Sequence, residues 1–425
     1  MSRYRVPLAV AVALTFLTGL GLAVVPSDQP TPATAAPTAA PAADQALREL
    51  LDRRARAVLE RDEAAFTADL DPRADPEFRR RQLDLFRNLA AVPLAEWTYR
   101  VSEATSLDSL DLPAADEHRA PGVRLAYRLR GVDVAPSSQP MGYLFSRRDE
   151  RWYLSSDTAL EPLGKRTWRG PWDFGPCRVL AGTGGFVLSH PGGEALAARV
   201  LAELDGAVAA VTDVWGEAWP RQVAVLVPTG VEEMRALVGD GFATGGIAGV
   251  AVADRVDPVT RTALGQRVVL NPDTAGALPA EPLRVLLRHE ITHVATRAST
   301  VDGAPMWLLE GFADYVGYRG SGVPVTRAAP ALAAQVRAGL PTALPADADF
   351  RGDRMELAYQ QSWSLNRYLA RRLGEPGLVA LYRRLAGMGR APESEVDGVL
   401  LETMGESRVE LLAGWREFLA QEFTP

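Results

Sequence analysis

His289 and His293 stand four residues apart, with Glu290 between them, in the run Arg288-His289-Glu290-Ile291-Thr292-His293-Val294. Residues i and i+4 of an α-helix lie about 40° apart around its axis and about 6 Å along it, so a helix here aims both imidazoles at one point. Glu290 sits beside them on the same helix and can reach a water at that point without being a ligand itself. The chain has 4 histidines in 425 residues, and half of them fall in this run. A helix that binds a metal ion, with zinc as the ion, is therefore the strongest constraint on what this chain can fold into. The alternative is a helix whose histidines are satisfied by hydrogen bonds.

A turn at Gly303-Ala304-Pro305 is followed by Met306-Trp307-Leu308-Leu309-Glu310-Gly311-Phe312-Ala313-Asp314-Tyr315. The connection is long enough to reverse the chain and lay a second helix antiparallel on the first. Glu310, with 16 residues between it and His293, then becomes a third ligand. Two histidines, one carboxylate and one open position make a catalytic rather than a structural zinc site. Asp314 lies one turn beyond Glu310, placed to accept the free ring N–H of a ligand histidine. The alternative for Glu310 alone is a charge near a helix N-terminus.

His289 to His293 followed by Trp307-Leu308-Leu309-Glu310-Gly311-Phe312-Ala313 resembles the gluzincin metallopeptidases, in particular the bacterial extracytoplasmic group called peptidase MA-like. The resemblance covers residues 177–425. It implies a small mixed sheet followed by a mostly helical region, with Zn2+ held by His289, His293 and Glu310. It also implies Glu290 as catalytic base, Asp314 as the acid behind a ligand histidine, and a peptide or protein as substrate. Tyr359-Gln360-Gln361-Ser362, leading into a helix over Ser364 to Leu373, is similar to a stretch of the same group. No histidine follows His293, so the downstream histidine of thermolysin-type enzymes is missing, as is the exopeptidase motif of aminopeptidases. Tyr359 is the candidate oxyanion donor in its place, with aromatic packing as the alternative and Arg354 or Tyr315 as substitutes. The strand Arg267 to Leu270 is the expected edge for pairing with an extended substrate, as in the resembling peptidases.

The remaining sequence sets the frame. A length of 425 residues exceeds one ordinary core and implies two or three units. A net charge of −7, from 46 basic and 53 acidic residues, offers no footprint for nucleic acid. The single cysteine, Cys177, excludes an intrachain disulfide and a four-cysteine zinc site. Arg3 and Arg5 precede an uncharged apolar run from Val6 to Val25, so residues 1–25 form a signal peptide or a single membrane anchor. Either places the rest of the chain outside the cytoplasm. Ala33-Thr34-Ala35 offers a cleavage pattern, and residues 26–43 form a Pro/Ala/Thr linker. An uncleaved segment would be the chain's contact with the membrane.

From Asp44, apolar residues recur at helical spacing through Leu59, and a second helix is expected over Pro76 to Leu89. Alternating strands follow around Trp97 to Val101, Val123 to Leu129 and Tyr143 to Phe145. The last pairs with Trp152 to Leu154 across a polar turn. Helices first and one antiparallel meander afterwards make an α+β accessory domain over residues 44–165, whose order resembles the nuclear transport factor 2-like superfamily. His118 is expected in an exposed charged loop. Residues 168–176 form a packed connector, and 176–425 is the metallopeptidase-like domain. Within it, Gly239 to Gly249 reads as a flexible turn and not a phosphate loop, and His190 as structural.

The reading is thus an α+β chain acting as an exported zinc-dependent peptidase. Two alternatives share its ligands: a peptidase-fold protein without turnover that binds or senses at the cell envelope, and a zinc amidase on cell-wall peptides. No feature of the sequence sets the oligomeric state.

Overall fold

The computed structural model describes residues 39–107, 109–239, 247–257 and 260–423, with side chains from residue 43. The signal or anchor over 1–25, most of the 26–43 linker and most of the Gly239–Gly249 turn lie outside the described residues. No helix among the described residues is long and apolar enough to cross a membrane. The chain divides between Val179 and Leu180 into two compact units.

In the first unit three helices precede the strands: α1 (Ala39–Glu60), α2 (Glu63–Ala68) and α3 (Pro76–Asn88). Leu47, Leu50, Leu51, Ala55 and Val58 form one buried face of α1. Asp62 and Asp75 start the next two helices by accepting from the Ala65 and Glu77 N–H groups. The strands are β1 (Leu94–Ala104), β2 (Glu117–Arg119), β3 (Pro121–Leu129), β4 (Ser137–Met141), β5 (Leu144–Arg148) and β6 (Arg151–Ser156). They do not form the single meander expected. They sort into two three-stranded sheets, β1-β3-β4 and β2-β5-β6. The reason is β4, whose Ser-Ser-Gln-Pro-Met sequence has no apolar alternation, yet it pairs with β3 from Ser137 to Met141 and takes the edge that β5 would have used.

His118 is likewise not in a loop. It lies half-buried on β2, its ring between the Pro113 carbonyl at 2.7 Å and the Ser146 hydroxyl at 3.0 Å. The unit extends to Val179 because the connector packs into it. Trp168 stacks on Tyr127 and Trp172 meets Trp97 edge-on, both at 5.4 Å.

The boundary falls within β7 (Arg178–Gly182), and the second unit continues with β8 (Gly185–Ser189), α4 (Glu194–Trp215), β9 (Val223–Leu226), α5 (Val231–Val238) and β10 (Gly249–Val252). Next come a short hairpin of β11 (Arg255–Asp257) and β12 (Thr262–Leu264), then β13 (Arg267–Leu270), α6 (Pro272–Ala277) and α7 (Ala280–Thr296). Five strands make a mixed sheet in the order β10-β13-β9-β8-β7. β9 runs parallel to β8 and β13, and β10 runs antiparallel to β13. The continuous apolar runs of β8, β9 and β13 are buried, as parallel strands covered on both faces must be. Arg267–Leu270 is therefore not the edge expected. It is an interior strand between β10 and β9, and β10 is the edge. Strand order depends on long-range pairing, which the local pattern of an apolar run does not encode.

From Met306 onward the described chain is helical: α8 (Met306–Tyr318), α9 (Val325–Ala328), α10 (Pro330–Ala338), α11 (Met355–Met388), α12 (Glu393–Met404) and α13 (Arg408–Phe423), apart from short 3-10 turns. The helix expected over Ser364 to Leu373 is the middle of α11, which bends at Gly374, where φ is 70°. The core gathers α4, α7, α8 and α11 against the sheet, with Trp215, Phe312 and Tyr382 in mutual ring contact.

α8 packs most extensively on α11. At the contact, a Cβ on Gly311 would stand 2.2 Å from Asn366 Nδ2 and 2.3 Å from the Ser362 carbonyl oxygen. Only glycine lets these helices approach so closely. Gly311→Ala should therefore cost about 2 to 3 kcal/mol through overpacking, read as a lower melting temperature and a weaker metal affinity at the neighbouring Glu310. A variant as stable as the wild type would show that the two helices separate freely.

Candidate metal centre

α7 is buried nearly all round. Leu283, Leu286, Leu287 and Ile291 pack into the core, and the helix carries His289, Glu290 and His293 inside with them. A polar triplet on such a helix is costly unless something engages it. α8 lies antiparallel across α7: Gly317 meets Val285, Asp314 meets His289, and Glu310 meets His293. This register brings together three ligand atoms that all lie within 4.8 Å of one another, from His289, His293 and Glu310. The two Nε2 atoms are 3.0 Å apart, and Glu310 Oε2 stands 3.4 Å from His289 and 3.7 Å from His293.

Asp314 Oδ1 lies 2.8 Å from His289 Nδ1. That contact places a proton on Nδ1 and leaves Nε2 with a lone pair toward the cluster. Burial disfavours the charged ring, but Asp314 outweighs it and raises His289 well above its ordinary pKa. Burial dominates at His293 and lowers it. It also works against the charged form of Glu310, yet the His293 and His289 rings prevail and hold that carboxyl at about 2. Burial pushes Glu290 up to about 7, opposed by His289 and by the Ala251 amide of β10.

The donor set fits a divalent cation of the zinc type, since two imidazoles and a carboxylate are a three-ligand set with a fourth position open. A second observation agrees. Both carboxylate oxygens of Glu310 and both of Glu290 are buried without a hydrogen bond of ordinary geometry. Two buried carboxylates, met only by the long imidazole contacts to Glu310 and by the Ala251 amide near Glu290, are expensive in the metal-free protein.

Tyr359, in the second turn of α11, is buried with its ring against Phe350 at 5.3 Å. Burial, then the facing Glu310 and Asp314 carboxylates, raise its hydroxyl well above the ordinary value. The two substitutes are engaged elsewhere. The Tyr315 hydroxyl donates to Glu375 at 2.8 Å, and the exposed Arg354 pairs with Asp349 at 3.2 Å. His190 is buried against Glu233 at 2.9 Å, and Glu233 also accepts from the Thr229 N–H at 2.7 Å.

Sequence reasoning missed the part played by β10. Gly249 stands against Glu290, where a Cβ would lie 3.6 Å from Glu290 Cγ, and the Ala251 amide faces the same carboxylate. The place of this strand beside the histidine helix depends on long-range pairing with β13, which no local pattern encodes.

No protein-family model and no curated protein matches the chain. Among solved structures, a mutant M1 zinc metallopeptidase from Deinococcus radiodurans is similar at a TM-score of 0.34 and 13% identity, covering 77% of this chain and 62% of that one. The chain thus spans less than two thirds of that protein's length. A likeness of this degree fixes neither the activity nor the substrate.

The purified chain should carry one divalent metal ion, lost in His289→Ala, His293→Ala and Glu310→Ala, because two remaining ligands bind too weakly. Asp314→Asn should weaken affinity about 10 to 100-fold. Elemental analysis and chelator competition check both, and full occupancy in the three alanine variants would overturn the site.

Proposed function

We propose that this chain is an exported zinc-dependent peptidase with Glu290 as its general base. The observation that carries the reading is a fully buried Glu290 carboxylate, without a hydrogen bond of ordinary geometry, beside three side chains that could hold a metal ion. A structural metal site needs no such neighbour, and a merely packed helix would not retain a carboxylate at this cost.

His289, His293 and Glu310 would hold the zinc ion, which when bound would supply Lewis acidity and lower the pKa of a water. Glu290, beside this group, would take the proton of the attacking water and pass it to the leaving amine. Asp314 keeps His289 oriented with Nε2 toward the cluster. The Tyr359 hydroxyl, kept protonated by burial, donates to the carbonyl oxygen as negative charge builds there. β10, an outer strand beside Glu290, offers main-chain N–H and C=O groups to an extended peptide. Arg3, Arg5 and the apolar run after them support export by a signal or an anchor. The helices-then-strands order of the first unit supports an accessory role of the nuclear transport factor 2-like kind.

Glu290→Gln should keep its metal and lose turnover of a broad peptide library by about three orders of magnitude or more. Wild-type rates in that variant would refute the assignment. Tyr359→Phe should lower kcat by about 10 to 1,000-fold with KM nearly constant. An unchanged kcat, or a loss matched by a lower melting temperature, would make Tyr359 a packing residue.

A further inference from the structure

A cavity of about 240 Å³ lies where the hairpin β11–β12 packs on Arg297–Ser299, the 3-10 turn that ends α7. Its lining includes Val256, Arg261, Arg297, Thr300 and Asp302. The chain's own course relates it to the metal centre. Gly249, at the start of β10, stands against Leu286 and Glu290, whereas Val256 and Arg261 share the cavity with residues beyond His293. β10 and α7 therefore run in the same direction, and the cavity lies at the far end of both. Arg297 also continues the i, i+4 stripe begun by His289 and His293.

At 1.5 Å per helical residue, Arg297 to Thr300 stand roughly 6 to 10 Å past His293, which is about two to three residues of an extended chain.

The residues that line the cavity carry two guanidiniums, Arg261 and Arg297, against one carboxylate, Asp302. Arg297 donates to the Thr300 carbonyl at 2.7 Å and to Asp302 at 2.8 Å, so its position is held and its charge is partly answered. Asp257, across the hairpin, accepts from the Thr260 N–H at 3.0 Å. Arg261 is exposed at the hairpin turn, with φ at 51°, and has no ion-pair partner among the described residues. A guanidinium left over beside a second one, in a cavity past the far ends of β10 and α7, selects for negative charge.

We propose that this cavity is a specificity subsite for an acidic substrate side chain two or three residues from the bond that is cut. The inference rests on the peptidase reading above. It makes Arg261 the residue that sets the preference and Arg297 the one that braces the site.

The test uses the full zinc-loaded chain and peptides derived from one that the library screen shows to be cleaved. Glu, Gln or Lys is placed in turn at the second and third positions on either side of the scissile bond. At one of these positions, kcat/KM for Glu should exceed that for Gln by about 5 to 10-fold, and the advantage should shrink with added salt. Arg261→Glu should reverse the order so that Lys is preferred, a gain that misfolding cannot produce. Equal kcat/KM for Glu and Gln at all these positions overturns the subsite and leaves the peptidase reading standing. Should no library peptide be cleaved, the peptidase reading falls, and binding of one library peptide made with Glu, Gln or Lys at each position in turn, read by fluorescence anisotropy, decides the subsite. A Glu preference reversed in Arg261→Glu upholds it, and equal binding or none overturns it.

Discussion

Glu310 is a carboxylate with no exposure to solvent, and its ionised form survives there because two imidazoles face it. Much of the second unit serves that contact. α7 and α8 must cross antiparallel in a register that sets Glu310 against His293 and Asp314 against His289. α8 must also sit close on α11, which Gly311 alone permits and which Asn366 secures by donating to the Trp307 and Ser362 carbonyls. The glycine after Glu310 is thus a packing requirement for the place that Glu310 takes beside the two histidines.

The same economy places the chemistry on the inside of the unit. Buried carboxylates are tolerated where opposite charge or hydrogen-bond donors meet them. Glu233 is met by His190 and by Thr229, so it is satisfied without a metal. Glu290 and Glu310 are left with open oxygens. That contrast among three buried acids of one unit separates a closed ion pair from a group with room for a cation more sharply than burial does.

The first unit uses buried charge differently. Arg148 makes a two-pronged pair with Asp71, and Asp157 accepts from Arg81, Gln82 and Arg169. These partners lie far apart in sequence, and each acid has its lone pairs engaged. Such pairs fix how helices sit against strands; removing one partner would strand the other in the core.

The sequence alone determined what is local. Helical periodicity located α1 and α3, since a 3.6-residue stripe needs no knowledge of its partner. His289, His293, Glu290, Glu310 and Asp314 were legible because i, i+4 spacing on one helix, and a short turn to the next, are local geometry. Tertiary structure decided what depends on pairing. It took Arg267–Leu270 off the edge and put β10 there, because a buried apolar strand reads the same wherever it stands in a sheet. It admitted β4 with almost no apolar pattern, because a free edge on β3 was enough to hold it. It turned Tyr359 toward Glu310 and gave Tyr315 to Glu375, although both are tyrosines on helices near the ligands. Which side chains share a point in space is set by how helices pack, and that is written in contacts between distant residues.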